Sequence, residues 1–210
     1  MMLRRRLRRM KDHWQLRREN SPWVNLFQRY QGVEMVSLDI ETTSLDVAQA
    51  QILSIGAVII KGSRVLTSEK LALTIVPPED LPYESVKVHK LRRMDLDQGL
   101  PLAEALDQFL AFVGNRPIVG YNIGYDLAVL DRFLRPAFGF GLPNACVDIM
   151  QLFRRRAFMS GAAEHQINLT FEAIAESLDV PILGRHTALG DATTAAILYV
   201  RLKSNSAAAK

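Results

Sequence analysis

The chain has 210 residues, 49% of them hydrophobic, which fits one globular domain with an appendage and excludes a disordered chain. No apolar run approaches membrane-spanning length, and the basic N-terminus lacks the apolar core of a secretory signal. The single cysteine, Cys146, excludes an intrachain disulfide and fits a cytoplasmic location. Residues 1–31 contain nine Lys/Arg and two Asp/Glu, a net charge of +7. The remainder contains 17 Lys/Arg and 20 Asp/Glu, a net charge of −3. A slightly acidic body of this kind would need bound cations to accept a polyanion.

Residues 1–31 are predicted to form a basic helical arm with a short connector. Apolar residues recur there with the period of a helix, in one stripe among arginines. Pro22 marks the end of this helix, because the residue before a proline avoids helical geometry. The stripe is expected to pack against protein; it consists of Leu3, Leu7, Met10 and Trp14.

The main domain is predicted at residues 32–204, followed by a disordered tail at 205–210. Segments rich in β-branched residues and bounded by turns predict strands at 35–40, 52–60, 64–76, 117–120 and 145–148. Helical periodicity predicts helices at 102–113, 123–134 (stopped by Pro136), 149 to about 158, 169–178 and 188–202. Three strands joined by short turns, and then alternating helices and strands, predict an α/β fold. Its mixed five-stranded sheet has three antiparallel strands first and is flanked by helices.

Asp39 and Glu41 are the first residues whose spacing points to chemistry. Alternation along a strand places both carboxylates on one face, at the end of an apolar run. Burying two like charges together is costly unless a cation joins them, so the pair indicates a metal site. The alternative is a strand that simply ends in solvated acids.

Two later segments add acids at predicted helix starts. Asp126 follows Gly-Tyr-Asn-Ile-Gly-Tyr, where a strand runs into a Gly/Asn turn and then a helix. Asp191 opens the last helix, and His186 precedes it by five residues on a loop that contains glycine. Histidine can take a proton from water near neutral pH. Taken alone, each acid also fits a plain helix start, where a carboxylate complements the helix dipole.

In this order, the three segments resemble the motifs of the DEDD exonuclease superfamily, in its histidine-containing (DnaQ-like) branch. Residues 39–46 are similar to the first motif, Asp-x-Glu-Thr-Thr-Gly-Leu-Asp, with Ser44 in place of glycine. Residues 120–126 resemble the second, His-Asn with an aromatic residue and Asp, with Tyr121 in place of histidine. Residues 186–191 match the third, His-x4-Asp.

The resemblance extends over about residues 35–202 and is strongest to the epsilon subunit of DNA polymerase III and its free-standing relatives. It implies a ribonuclease H-like fold and a site for two ions, Mg²⁺ or Mn²⁺, with hard oxygen ligands. Asp39 would bridge both ions, Glu41 and Asp191 would hold the ion that carries the attacking water, and Asp126 would support the second ion. His186 would be the general base.

The resemblance also implies contacts to the substrate. Thr42 and Thr43 are expected to read the terminal 3′-hydroxyl through backbone amides, and Leu45 to wedge beside the last base. His89 resembles a histidine found after the third strand in epsilon-like members, although a surface histidine in a basic patch is the alternative. The expected substrate-binding residues are Thr42, Thr43, Leu45, Tyr121, Asn122 and His89.

The expected activity is metal-dependent release of 5′-mononucleotides from single-stranded 3′ ends of DNA, as in proofreading or repair. Two alternatives stay open. The first is an exoribonuclease of the oligoribonuclease or RNase T type, because the catalytic residues do not discriminate DNA from RNA. The second is a catalytically inactive nucleic-acid-binding module.

The arm is expected to place its arginines beside the path of the nucleic acid, with docking of a protein partner as the alternative. No membrane partner is expected. Because the sequence ends soon after the last helix, a free-standing enzyme, or one docked through the arm, is expected.

Overall fold

The computed structural model describes residues 2–77, 96–161, 163, 165 and 167–207, with side chains from residue 7 to residue 204 within these ranges. The described residues form a five-stranded sheet of order β3-β2-β1-β4-β5. Strands β1, β2 and β3 pair antiparallel, and β4 and β5 continue the sheet parallel to β1. The predicted mixed sheet is therefore confirmed. The strands are Glu34–Thr42 (β1), Ile52–Lys61 (β2), Arg64–Thr74 (β3), Ile118–Gly120 (β4) and Cys146–Asp148 (β5).

Helices precede the sheet, cover both of its faces and follow its last strand. No helix in the described ranges has the length and hydropathy needed to cross a bilayer. The helices are Met2–Arg18 (α1), Leu102–Val113 (α2), Gly124–Phe138 (α3), Ile149–Met159 (α4), Phe171–Ser177 (α5) and Ala188–Ala207 (α6), with a 3₁₀ helix at Pro22–Phe27.

Strand β2 lies at the centre of the hydrophobic core, because both faces of the sheet are covered there. Ile55, Ala57 and Ile59 pack with residues of α2 and α3 on one face. Val58 and Ile60 pack with residues of α4, α5 and α6 on the other. This continuous burial explains why β2 reads as an uninterrupted apolar run rather than an alternating one.

Three predicted helix boundaries are wrong. Helix α3 continues through Pro136, because a proline in the last turn removes only one backbone bond; Gly139, at φ 78°, then ends the helix. Helix α6 continues past the predicted end at 202 to Ala207, and Ser204 Oγ donates to the Val200 carbonyl at 3.0 Å within it. Helix α5 begins only after Thr170, whose hydroxyl accepts from the Ala173 amide.

The predicted packing of the arm is also wrong. Leu7, Met10 and Trp14 are 57%, 68% and 62% exposed, so this stripe faces solvent. Among residues 7–18 of α1, the buried apolar residue is Leu16, which belongs to the core cluster beside α3. The ion pair of α1 with α3 lies at Arg135, about 14 Å along α3 from Asp126. The expectation that the arginines line a nucleic-acid path stays a prediction.

Candidate active site

Asp39 and Glu41 lie near the carboxyl end of β1, on the face covered by α6. Leu38 and Ile40 point to the opposite face, in the cluster with α2 and α3. Asp39 pairs with Gly56 of β2 across the antiparallel ladder. The strand alternation that the sequence predicted is therefore confirmed, and both carboxylates face the start of α6.

Gly56 allows the start of α6 to approach the sheet closely. A Cβ atom at this position would lie 2.1 Å from the Ala188 carbonyl carbon and 2.2 Å from the Leu189 amide nitrogen. No side chain larger than hydrogen fits there without displacing the helix. This contact brings Asp191, in the first turn of α6, to the acids of β1.

Carboxylate oxygens of Asp39, Glu41 and Asp191 lie within 4.8 Å of one another. Asp126 joins the group from α3, where it is 5% exposed. Its Oδ1 accepts a hydrogen bond of 3.0 Å from the Ile40 amide. Strand β4 ends at Gly120, so the Asp126 side chain takes the place of a neighbouring strand for this amide.

Burial raises the pKa of all four carboxyls. The pKa of Glu41 rises to about 7 and that of Asp126 to about 8. The pKa of Asp39 lies well above its ordinary value, because the negative charges of Asp126, Glu41 and Asp191 add to its burial. The pKa of Asp191 is also raised by burial, against the opposing effect of Arg185. A site that disfavours its own negative charge is stabilised by a bound cation.

The donor set fits a divalent cation with a preference for oxygen. The ligand atoms are carboxylate oxygens, which Mg²⁺ and Mn²⁺ prefer. Asp191 Oδ1 is buried and has no hydrogen-bond partner among the described residues. A buried acceptor without a donor is costly, and a metal ion would satisfy it.

Arg185 is a cation beside the acidic cluster that the sequence prediction missed. Its Nη1 donates to Asp191 Oδ2 at 2.6 Å, and its Nε donates to Glu172 Oε1 at 2.8 Å. The guanidinium also stands 4.9 Å from the centroid of the Phe171 ring. Glu172 and Phe171 lie more than ten positions away in sequence, so only the position of Arg185 next to His186 could have drawn attention to it.

His186 lies on the loop that leads into α6. Its backbone has a left-handed conformation, with φ 64°, and its amide donates to Asp191 Oδ2 at 3.2 Å. The side chain is half-buried, and no hydrogen bond joins the imidazole to another described residue. The loop thus holds the histidine backbone against a cluster acid.

The turn after β1 is held by its own hydrogen bonds. The Thr43 amide donates to the Gln51 carbonyl, and Thr43 Oγ1 accepts from the Gln51 amide, each at 3.0 Å. Thr42 Oγ1 donates to the Ser44 carbonyl at 3.0 Å. The Thr43 backbone amide and hydroxyl oxygen are therefore both engaged with Gln51 inside the turn. Leu45, predicted to wedge beside a base, is 89% exposed.

Tyr125 fastens this turn to α3. Its hydroxyl lies 2.6 Å from Thr42 Oγ1 and also donates to the Ser44 carbonyl. The sequence motif contains this aromatic residue next to Asp126, but nothing in the sequence indicated a role for its hydroxyl.

The remaining predicted substrate residues differ in their environment. The Tyr121 hydroxyl donates to the Leu169 carbonyl at 2.8 Å, so this side chain turns toward α5. Asn122 is exposed, and its backbone has a left-handed conformation with φ 48°. Its backbone amide donates to Asp148 Oδ1 at 3.2 Å. His89 lies outside the described residues.

Two proteins of related sequence are components of DNA polymerase III. The epsilon subunit of Aquifex aeolicus is 25% identical over 167 residues, which cover 80% of this chain and 79% of that protein. The PolC-type polymerase of Thermotoga petrophila is 24% identical over 172 residues; these cover 82% of this chain but only 12% of the polymerase.

A solved structure shares the fold. Exonuclease I of E. coli, in complex with a dT13 oligonucleotide, superposes with a TM-score of 0.72 at 15% identity. The match covers 85% of this chain and 42% of exonuclease I, so the chain spans less than half of that protein. The likeness confirms the predicted ribonuclease H-like fold.

The RNase_T exonuclease family matches residues 36–199, from the first buried residues of β1 to the middle of α6. This range contains the four acids, His186 and the turn after β1. The chain therefore belongs to the RNase_T exonuclease family.

Proposed function

We propose that this protein is a metal-dependent 3′→5′ exonuclease that releases 5′-mononucleotides from single-stranded DNA. One observation carries the proposal: Asp39, Glu41 and Asp191 hold carboxylate oxygens within 4.8 Å of one another, and the buried Asp191 Oδ1 has no hydrogen-bond partner in the part of the chain that the structure describes. A carboxylate cluster of this kind is unfavourable in a protein that merely binds nucleic acid. Family membership supplies the exonuclease class.

We infer the roles of the side chains from family membership together with their positions. Asp39, Glu41, Asp126 and Asp191 would hold Mg²⁺ or Mn²⁺, which when bound stabilises negative charge developing on the phosphate oxygens. His186 would accept the proton of the attacking water on a ring nitrogen. Its place on a loop leaves the imidazole able to meet the substrate.

The turn after β1 would select the strand end. Leu45 is exposed on this turn and would pack against the terminal base, while Thr42 and Thr43 form the backbone of the turn. Tyr125 keeps this turn in place through its hydroxyl. Tyr121 and Asn122 lie in the turn that precedes Asp126 and are proposed to contact the sugar-phosphate chain, as is His89.

DNA is the preferred substrate in this proposal because two relatives are DNA polymerase III proteins and the structural neighbour binds a dT13 oligonucleotide. Proofreading or repair in the cytoplasm fits those relatives. The catalytic residues themselves would serve an exoribonuclease equally well.

The test uses 5′-labelled single-stranded DNA and RNA of one sequence, each with Mg²⁺, Mn²⁺ or a chelator. We expect stepwise shortening of the labelled DNA, nucleoside 5′-monophosphates as products, and no reaction with the chelator. Faster shortening of the RNA would favour the exoribonuclease. Binding without shortening of either strand would favour an inactive binding module.

A further inference from the structure

Helix α1 is fixed to the domain by one of its faces. Leu16 is 2% exposed, and Asp12 forms an ion pair with Arg135 of α3, with 3.3 Å between Oδ2 and Nη1. His13 stacks on Phe27 with ring centroids 5.4 Å apart and nearly parallel planes. These contacts determine which side of α1 faces outward.

The outward side carries three large apolar residues, Leu7, Met10 and Trp14, which we call the seam. Each is more than half exposed. Their spacings of three and four residues are those of a and d positions in a heptad. At about 100° per residue, they span about 60° of the helix circumference, and their centre lies about 150° from Leu16. The seam is therefore held away from the domain.

Cations border the seam on both sides. Lys11 and Arg18 lie along one edge and Arg17 along the other. The Arg18 guanidinium stands 4.7 Å from the centroid of the Trp14 ring. Asp12, the one acidic residue in the sequence of α1, is engaged with Arg135 on the opposite side. A ligand of the seam must therefore present apolar groups flanked by negative charge.

We propose that the seam docks an acidic amphipathic helix of a partner protein. Apolar a and d residues of that helix would pack on Leu7, Met10 and Trp14, and its flanking Glu or Asp side chains would pair with Lys11, Arg17 and Arg18. The docking surface is separate from the proposed nuclease site, since α1 meets α3 about 14 Å along the helix from Asp126.

Two other occupants fit the seam less well. A second copy of this chain would bring Lys11, Arg17 and Arg18 against the same cations, which repel across a helix pair. A lipid surface takes an apolar face of roughly 100° or more, wider than the seam. A narrow apolar strip with charged residues along its edges is typical of a helix that pairs with another helix.

The experiment measures fluorescence anisotropy of a labelled synthetic helix added to the full-length protein. The probe has about three heptads, with Leu at a and d and Glu at e and g. One matched peptide carries Lys at e and g, and a second carries Ser at a and d. The seam variant combines Leu7→Gln, Met10→Gln and Trp14→Gln, which retains every charge. The control variant combines Val33→Gln and Met159→Gln, at apolar residues 72% and 81% exposed elsewhere on the protein.

We expect the Leu/Glu peptide to bind the wild type and the control variant equally, and the seam variant at least about tenfold more weakly, or about 1.4 kcal/mol. The Lys peptide and the Ser peptide should bind no protein at comparable concentration. Equal binding of the Ser peptide would mean that charge alone acts, and would overturn the proposal. So would full binding by the seam variant.

The same proteins are mixed with phosphatidylglycerol vesicles and with a dT oligonucleotide. If the seam substitutions weaken vesicle or oligonucleotide binding but not peptide binding, the seam belongs to that ligand and the proposal is overturned. Nuclease turnover of the seam variant should equal that of the wild type, and a loss of turnover would contradict the separation of the two surfaces. Absence of nuclease activity in the wild type would defeat the proposed function and leave the peptide result unaffected.

Discussion

Arg185 and Asp191 form an ion pair inside the acidic site, with Nη1 and Oδ2 2.6 Å apart. The guanidinium is also held by Glu172, so it is fixed in place rather than drawn in from solvent. It engages one oxygen of Asp191, and the other, Oδ1, accepts no hydrogen bond from the residues that the structure describes. Arg185 thus compensates part of the negative charge while a ligand position for a cation stays available.

Arg185→Met should destabilise the metal-free protein more than the metal-bound protein. Without the guanidinium, the negative charge of Asp191 is less well compensated. Loss of this charged, partly solvent-exposed hydrogen bond should lower the free energy of unfolding by about 1–3 kcal/mol. Divalent cations would supply the missing charge. Thermal unfolding with chelator and with saturating Mg²⁺ measures both differences, and Arg155→Met on the exposed face of α4 serves as the control. An equal loss in both conditions would contradict the role of Arg185 as counter-ion.

Stability of the metal-free protein should fall as pH rises. Glu41, with a pKa of about 7, and Asp126, with a pKa of about 8, keep protons in the folded state that the unfolded chain releases near pH 4. The folded state binds more protons in this window, so the free energy of unfolding decreases between about pH 4 and pH 8. Glu41→Gln should reduce this slope.

At pH 8 and without metal, we expect the free energy of unfolding of Glu41→Gln to exceed that of the wild type by about 1–3 kcal/mol. This range is reduced from the full pKa shift because Glu41 is partly exposed to solvent. At pH 4 the two proteins should be nearly equal. Chemical unfolding at several pH values gives the difference directly. Glu69→Gln, at an exposed position of β3, is the matched control. If Glu41→Gln leaves the slope of the unfolding free energy against pH unchanged, ionisation of Glu41 does not destabilise the metal-free protein.

His186→Asn should lower the cleavage rate by about 10²–10⁴-fold with little change in substrate binding, because a general base is lost. Asparagine is chosen since it tolerates the left-handed backbone at φ 64°. The rising limb of the pH–rate profile should disappear. His165→Ala, at an exposed histidine, should behave as the wild type. If the pH profile of His186→Asn matches that of the wild type, another group activates the water.

Tyr125→Phe should raise KM for single-stranded DNA by about 2–10-fold and leave kcat nearly unchanged. The substitution removes only the hydroxyl that binds Thr42 and Ser44, worth about 0.5–1.5 kcal/mol. The turn that carries Leu45 would then be less well positioned. Steady-state kinetics against Tyr199→Phe, a half-buried tyrosine on α6, separates this effect from general loosening. A fall in kcat at constant KM would contradict a positioning role.

The acids were predicted by the family resemblance of three segments taken together, because local spacing alone left each acid open to a plainer explanation. Alternation on β1 placed Asp39 and Glu41 on one face, and a helix start placed Asp191, as the structure has them. That Gly56 permits the approach of α6 could not be predicted, because Gly56 and Ala188 are far apart in the chain. The partners of Arg185 were hidden for the same reason.

The arm shows where periodicity alone is insufficient. Helix α1 has an apolar stripe at Leu7, Met10 and Trp14, and the buried Leu16 lies on the opposite side, so periodicity predicted the wrong face as the buried one. The docked face is instead the one that carries Leu16, Asp12 and His13, where Asp12 forms an ion pair with Arg135 of α3. Such a pairing depends on the tertiary fold, which no local pattern contains.

The most direct test of the metal-dependent active site compares mononucleotide release from a 5′-labelled single strand by the wild type and Asp39→Asn, in Mg²⁺ and in chelator. We predict that the wild type shortens the strand from its 3′ end only with Mg²⁺. Asp39→Asn should be slower by at least about 10²–10³-fold, since several kcal/mol of charge stabilisation are lost at about 1.4 kcal/mol per tenfold. Its metal-free melting temperature should be no lower than that of the wild type, because one of the crowded charges is gone. Release by Asp39→Asn at the wild-type rate, or by the wild type in chelator, would contradict the account.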